Sequence, residues 1–246
     1  RPKVSMLLLA DKTLLCVRHG VTEMNFYLSS HPYGTLGFVD PGLFDTRLTR
    51  EGEAQAAGAL RTTLAAAHQR APIELLVSSP LTRALRTAEL GVGSLSGVTK
   101  TVSPLLAERR YLSSDVGRSP RELRAEFPAF FADGGGQPLA ERWWWEGSAA
   151  EAAAARSARQ SLQQRRRLLP WRRPPPAPLQ GEALPVEPAE HFVRRMRRFL
   201  MWLEQRPERR IAVVAHWGVH YSLLGRRSLD NCELVECAGS ELGDPV

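Results

Sequence analysis

The sequence predicts an α/β fold with a mainly parallel central sheet. Short, continuously apolar runs recur along the chain, and each is followed by a helix-start signal or by apolar residues at helical spacing. The runs show no in–out alternation, so they read as strands buried on both faces, the kind that parallel sheets use. The length of 246 residues fits one domain carrying a large insertion.

The elements follow in order. Thr13–Val17 is the first strand and ends at Arg18-His19-Gly20. Residues 26–48 are rich in Gly, Pro, Ser and aromatics and read as a long surface loop. Thr49 then caps a helix, with Glu51 and Glu53 where the helix dipole favours acids. Ala57, Leu60, Leu64 and Ala67 give that helix its apolar stripe. Ile73–Val77 is the second strand, and Ser79-Pro80 starts the next helix, with Ser at the cap and Pro in the first turn. Thr101–Ala107 reads as a third strand. Ser119-Pro120-Arg121-Glu122 is a capping box that opens a helix running to about Phe127.

Residues 147–187 then change character. Runs of Ala, Arg and Pro follow one another without a sustained stripe, which predicts a low-complexity, disordered insertion in a single domain spanning 1–246. Order resumes near Pro188. Phe192, Met196, Phe199, Leu200 and Leu203 line one helix face. Ile211–Ala215 is the last strand; it ends at His216-Trp217-Gly218, and a short helix follows.

Composition narrows the function classes. Apolar residues make up 43% of the chain, enough for a sizeable core, and no apolar run approaches the roughly 18 residues of a membrane span. Met6–Ala10 is too short for the apolar region of a secretory signal. The cysteines, Cys16, Cys232 and Cys237, are odd in number and lack metal-ligand spacing. Neither a disulfide framework nor a metal site is expected, and a cytoplasmic location is, with organellar targeting left open. Residues 156–173 hold seven arginines and no acid, which accounts for the whole net charge of +7. That stretch reads as a solvated basic insertion, so neither nucleic acid nor membrane is expected as a partner, while a homodimer stays open.

Three strands deliver one useful kind of chemistry. The first ends in Arg18 and His19, the second leads into Ser78, Ser79 and Arg83, and the last ends in His216. Ligands of open α/β sheets bind beyond the carboxyl ends of the strands. Two imidazoles and two guanidiniums gathered there would make a cationic pocket for a dianionic phosphoryl group, and arginine's planar fork takes two phosphate oxygens at once.

Arg18-His19-Gly20-Val21-Thr22-Glu23-Met24-Asn25 resembles the signature of the histidine phosphatase superfamily, the phosphoglycerate mutase-like family. So do Leu48-Thr49…Gly52…Gln55-Ala56, Ser78-Ser79-Pro80-Leu81-Thr82-Arg83-Ala84, and the strand ending in His216 before Gly218. Order and spacing agree over residues 13–110 and 188–225. Val21, where the family usually has Glu or Gln, and Trp217, at a position often small, depart from the pattern without removing a reacting group.

The resemblance implies a three-layer α/β sandwich and a phosphohistidine formed on His19, with no cofactor and no metal. It implies phosphate binding by Arg18, Asn25, Arg83 and His216, and general acid–base work by Glu108. Asp115 is the substitute for Glu108, with turn capping as its default role. A small phosphorylated substrate and phosphomonoester hydrolysis are the expectation. A mutase that returns the phosphoryl group, and an inactive scaffold using the Arg-rich insertion, are its rivals. For Trp143-Trp144-Trp145 packing against the core is preferred to a substrate wall, and His31, His68, His191 and His220 are taken as structural or exposed.

Overall fold

The computed structural model describes residues 9–93, 95–132, 138–145, 147 and 186–246. The predicted insertion, with its arginines, falls almost wholly outside the described residues.

Strand β1 (Thr13–Arg18) leads into helix α1 (Glu23–Ser30). A continuous helical rod follows: α2 (Arg50–Gln55), one π turn (Ala56–Leu60) and α3 (Arg61–Arg70). Then come β2 (Leu75–Ser78), α4 (Thr82–Val92), β3 (Thr99–Val102), α5 (Pro120–Glu126), α6 (Ala189–Glu204), β4 (Arg210–Ala215), α7 (Trp217–Leu223) and β5 (Leu234–Ala238). The sheet order is β3-β2-β4-β1-β5; the first four strands are parallel and β5 is antiparallel to β1.

Alternation along the strands makes the three layers. Leu14, Cys16, Leu75, Val77, Ile211 and Val213 point into one core with Phe192, Met196, Phe199 and Leu203 of α6. Leu15, Val17, Leu76, Ala212 and Val214 point into the other, with Leu60 and Leu64 of the rod, Ala84, Leu85 and Ala88 of α4, and Leu123 of α5. Both sheet faces are therefore dry. Each fully buried Leu or Val contributes about 1.5–3 kcal/mol by leaving water, which is why the strand sequences carry no polar alternation.

The structure corrects several sequence expectations. The loop predicted at 26–48 begins inside α1, because Thr22 and Asn25 form a capping box: Asn25 N–H donates to Thr22 Oγ1 at 3.0 Å and Thr22 N–H to Asn25 Oδ1 at 3.1 Å. In the rod the π turn adds a residue, so Ala56 rather than Ala57 is buried with Leu60, Leu64 and Ala67. The third strand stops at Val102, since Ser103-Pro104 opens a single 3₁₀ turn, Pro104–Leu106.

The helix predicted from Ser79 starts at Thr82. Its cap comes from a distant residue, Asp45, whose carboxylate accepts the Thr82 N–H at 2.9 Å and the Thr82 hydroxyl. The edge strand β5, Leu234–Ala238, had no counterpart in the sequence reading. By contrast, the cap at Ser119 and the buried face of α6 are as predicted.

Candidate active site

Parallel pairing puts the carboxyl ends of β1, β4 and β2 on one sheet edge: Arg18 is level with Ala215, and Ser78 with Val214. The residues that follow, His19, His216 and Ser79, are therefore neighbours although they lie far apart in sequence. The backbone fixes them further, with His19 N–H donating to Ala215 C=O and Ser79 N–H to Val214 C=O, both at 3.0 Å. The His19 and His216 rings lie 5.1 Å apart between centroids, tilted by 57°.

His19 Nδ1 is 2.8 Å from Gly20 C=O. A carbonyl only accepts, so Nδ1 carries the ring hydrogen and Nε2 keeps its lone pair. Burial holds the His19 pKa well below the ordinary value of 6.5, and the charges of Arg83 and Arg18 push it the same way. His19 is thus neutral at pH 7. His216 is buried, and its pKa is held low by burial and then by Arg83 and His19. Its Nε2 lies 2.7 Å from Ser79 Oγ, while Nδ1 is buried without a partner among the described residues.

Two guanidiniums flank the imidazoles. Arg18 donates from Nη1 to Leu229 C=O at 2.8 Å, and its buried Nε has no partner among the described residues. Arg83 is buried and donates to Ser114 C=O at 2.6 Å and to Asp115 Oδ1 at 3.0 Å. Arg83 is therefore no solvated helix residue, and the nearby Glu89 pairs with Arg86. Asp115 also accepts the Tyr111 and Leu112 N–H groups, at 3.1 and 3.0 Å, so its carboxylate is occupied in capping a turn and anchoring Arg83.

Glu108 lines the same cavity as His19, Arg18 and Arg83. Its carboxylate accepts the Arg109 N–H at 2.7 Å and the Gly218 N–H at 3.0 Å. Burial raises its pKa from 4.5 to about 7 and Asp115 adds to the rise, outweighing those two hydrogen bonds and Arg83. A carboxyl half-protonated near neutrality can both give and take a proton.

Arg18, His19, Asn25, Arg83, Glu108 and Gly218 all line one cavity of about 790 Å³. Asn25 reaches it with its Oδ1 committed to the α1 cap, which leaves the amide NH₂ for a ligand. His216 is fully buried and off that lining, its ring meeting His19. Among the described residues, no group of three or more His, Cys, Asp or Glu is placed to hold a metal ion. The lining suits an anion, with the four arginines Arg18, Arg83, Arg109 and Arg226 outnumbering the two acids Glu108 and Asp115.

A model of the histidine phosphatase superfamily (branch 1) matches residues 14–165. The chain belongs to this family. Members of the histidine phosphatase superfamily are phosphatases or mutases. It is similar to the alpha-ribazole phosphatase from Shigella flexneri, with 22% identity over 91% of this chain and 89% of that one and a TM-score of 0.49. It is similar to a phosphoglycerate mutase from Thermus thermophilus, with 22% identity over 91% of each chain and a TM-score of 0.44. It is also similar to a mycobacterial glucosyl-3-phosphoglycerate phosphatase, with 20% identity over 92% of each chain and a TM-score of 0.46. No curated protein matches the chain.

Around the histidine phosphatase motifs, several residues escaped the sequence reading. Thr87 Oγ1 accepts the Gly20 N–H at 3.1 Å, Gln55 Oε1 accepts the Val21 N–H at 3.2 Å, and Asn231 donates to His19 C=O at 2.8 Å. Gln55 stood in a quoted block without a role; Thr87 and Asn231 carry no local signal. None of the three tryptophans is on the lining of the large cavity, and Trp143 packs against the core: its Nε1 donates to Arg118 C=O at 3.0 Å and its ring covers Gly117. Trp143, Trp144 and Trp145 do line a separate, smaller hollow of about 240 Å³ with Glu108 on its rim. His31 stacks on Tyr27, His68 accepts the Ile73 N–H, His191 pairs with Glu187, and buried His220 holds Val17 C=O. The described helices include none long and apolar enough to cross a membrane.

Proposed function

We propose that this protein is a phosphomonoesterase that works through a phosphohistidine on His19. The observation that carries the reading is the 5.1 Å pairing of two neutral, buried imidazoles at one sheet edge, with His19 on a cavity that Arg18, Arg83 and Glu108 also line.

In the first step His19 Nε2 bonds to phosphorus as the ester P–O bond breaks, and Glu108 gives its proton to the departing alkoxide. Arg18, Arg83, Asn25 and a nitrogen of His216 hold the equatorial oxygens, where charge collects during transfer. As His19 becomes positively charged, Gly20 C=O steadies its Nδ1–H. In the second step water attacks phosphorus, Glu108 takes the water proton, the N–P bond breaks, and orthophosphate leaves. Acid, base and nucleophile are thereby restored. No metal enters either step, because the guanidiniums supply the positive charge.

The test is to quench turnover of a phosphomonoester in denaturant and assay the protein for acid-labile, base-stable phosphate. The expected result is label on wild type, none on His19→Ala, and release of orthophosphate. Equal turnover by wild type and His19→Ala would overturn the mechanism, and isomerisation of a phosphoglycerate without phosphate release would overturn hydrolysis.

A further inference from the structure

Three large aromatic side chains at the mouth of this cavity serve no core. Trp217 is 42% exposed, Tyr33 52% and Tyr111 37%, and all three line the same hollow as His19. Leaving such rings in water forgoes the stabilisation they would gain by burial, and contiguous exposed apolar surface around a polar centre marks a binding site. They are also held in place. Trp217 Nε1 donates to Ser228 Oγ at 2.9 Å, and its indole lies on the Tyr221 ring at 4.8 Å and 21°. Tyr111 is met edge-on by Tyr33 at 5.9 Å and covered by the Arg109 guanidinium at 4.8 Å. A side chain fixed before binding loses little entropy on binding.

Resting on the phosphatase reading, we infer that the substrate is a phosphomonoester whose alcohol carries a flat aromatic ring system, which lies against Trp217 and Tyr111 while the phosphoryl group meets His19. Size agrees. A phosphoryl group fills only one end of about 790 Å³, and cavities of this order accommodate ligands of drug or nucleoside size rather than three-carbon acids. Chemistry agrees as well. Met24 adds a polarizable thioether and Leu28 an aliphatic patch, so ring faces and soft apolar groups share the lining with Arg109 and Arg226. The ester bond is the one broken in the proposed reaction; the rings supply position and no chemistry.

The test is calorimetric binding of uncleavable phosphonates, which reads recognition without turnover. Naphthylmethylphosphonate should bind at least about tenfold more tightly than methylphosphonate. It should also bind a few-fold more tightly than its fully saturated ring analogue, since aromatic pairs gain beyond area alone. Trp217→Ala and Tyr111→Ala should each shrink the aromatic-to-methyl ratio several-fold. Equal affinity for the naphthyl and methyl compounds would overturn the inference while leaving the phosphoryl pocket standing. A saturated ring that binds as tightly as the aromatic one would overturn the ring chemistry in favour of an aliphatic alcohol. Failure of every phosphonate and of inorganic phosphate to bind would instead sink the phosphatase reading on which it rests.

Discussion

The Gly218 N–H donates to Glu108 Oε2 at 3.0 Å, tying the start of the last helix to the carboxyl proposed as acid and base. A Cβ at position 218 would strike Glu108 Oε1, so this approach needs glycine. The Arg109 N–H grips the other oxygen, and the carboxyl is thus aimed by two backbone groups while burial keeps it half-protonated near pH 7.

Activity should therefore fall on the alkaline side of pH 7, where Glu108 loses the proton it must give the leaving group. No loss from charging of His19 should appear near pH 6, because its pKa lies well below 6.5. Glu108→Gln should lower kcat about 10²–10⁴-fold and flatten the alkaline limb. A pH–rate profile of both proteins checks this; an unchanged limb in Glu108→Gln would remove Glu108 from the mechanism.

The same shift has a stability consequence. A carboxyl whose pKa rises from 4.5 in the unfolded chain to about 7 on folding binds its proton more tightly in the native state. Its ionisation costs the fold nothing below pH 4.5, and the cost grows as pH rises through 7, to at most about 3 kcal/mol. Glu108→Gln should then gain stability relative to wild type between pH 5 and pH 8. Urea melts at the two pH values measure the gain, and a stability gap that stays constant would contradict the shift.

Ser79 should act through His216. The Leu81 N–H donates to Ser79 Oγ at 3.3 Å, so the hydroxyl proton is free to go to His216 Nε2, placing the ring hydrogen on Nδ1, the nitrogen without a partner among the described residues. Ser79→Ala should cost about 1 kcal/mol of stability and lower kcat roughly tenfold with little change in KM. A loss confined to KM would mean that the tautomer does not matter.

Asp115 should prove structural first. Its replacement by Ala would leave Arg83 buried without a counter-charge and strand the Tyr111 and Leu112 N–H groups. Breaking a buried pair in this way costs about 3–5 kcal/mol. Thermal melting should show that loss for Asp115→Ala and a smaller one for Asp115→Asn, which keeps an acceptor oxygen. Undiminished stability in Asp115→Ala would show that the pair contributes no net energy.

Local signals made β1, β2 and β4, the caps at Thr49 and Ser119 and the apolar face of α6 legible, because each depends on neighbours in sequence. His19, Arg83 and His216 stand out only because motif blocks surround them, and Glu108 only through the family resemblance; alone, each has a common structural use. What escaped reading depends on distance. Asp45 caps α4 from 37 residues away, and nothing in Phe44-Asp45-Thr46 announces it. Strand β5 escaped because its burial is mixed, as befits an edge strand with one neighbour. The start of the long loop is hard to read because Thr22 and Asn25 belong to the motif and also form a helix cap.

The glycines of the rod should respond in opposite directions. Gly52 packs its backbone against Val21, where an added Cβ would overlap the carbonyl, and a Cβ on Gly20 would sit 2.7 Å from Gly52 C=O. Around this contact the Thr49 N–H donates to Val21 C=O at 2.9 Å, so the rod braces the backbone that carries His19. Backbone cannot yield as a side-chain tip can. Gly52→Ala should lose about 1–3 kcal/mol and also activity, since the displaced segment begins beside the nucleophile. Gly58 lies two turns further on, exposed, with open space at its Cβ position and no left-handed φ. Gly58→Ala should gain about 0.5–1 kcal/mol by stiffening the unfolded chain, with activity kept. Chemical denaturation of the two variants beside wild type reads both signs, and a Gly52→Ala protein as stable as Gly58→Ala would show that the rod does not press on the His19 segment.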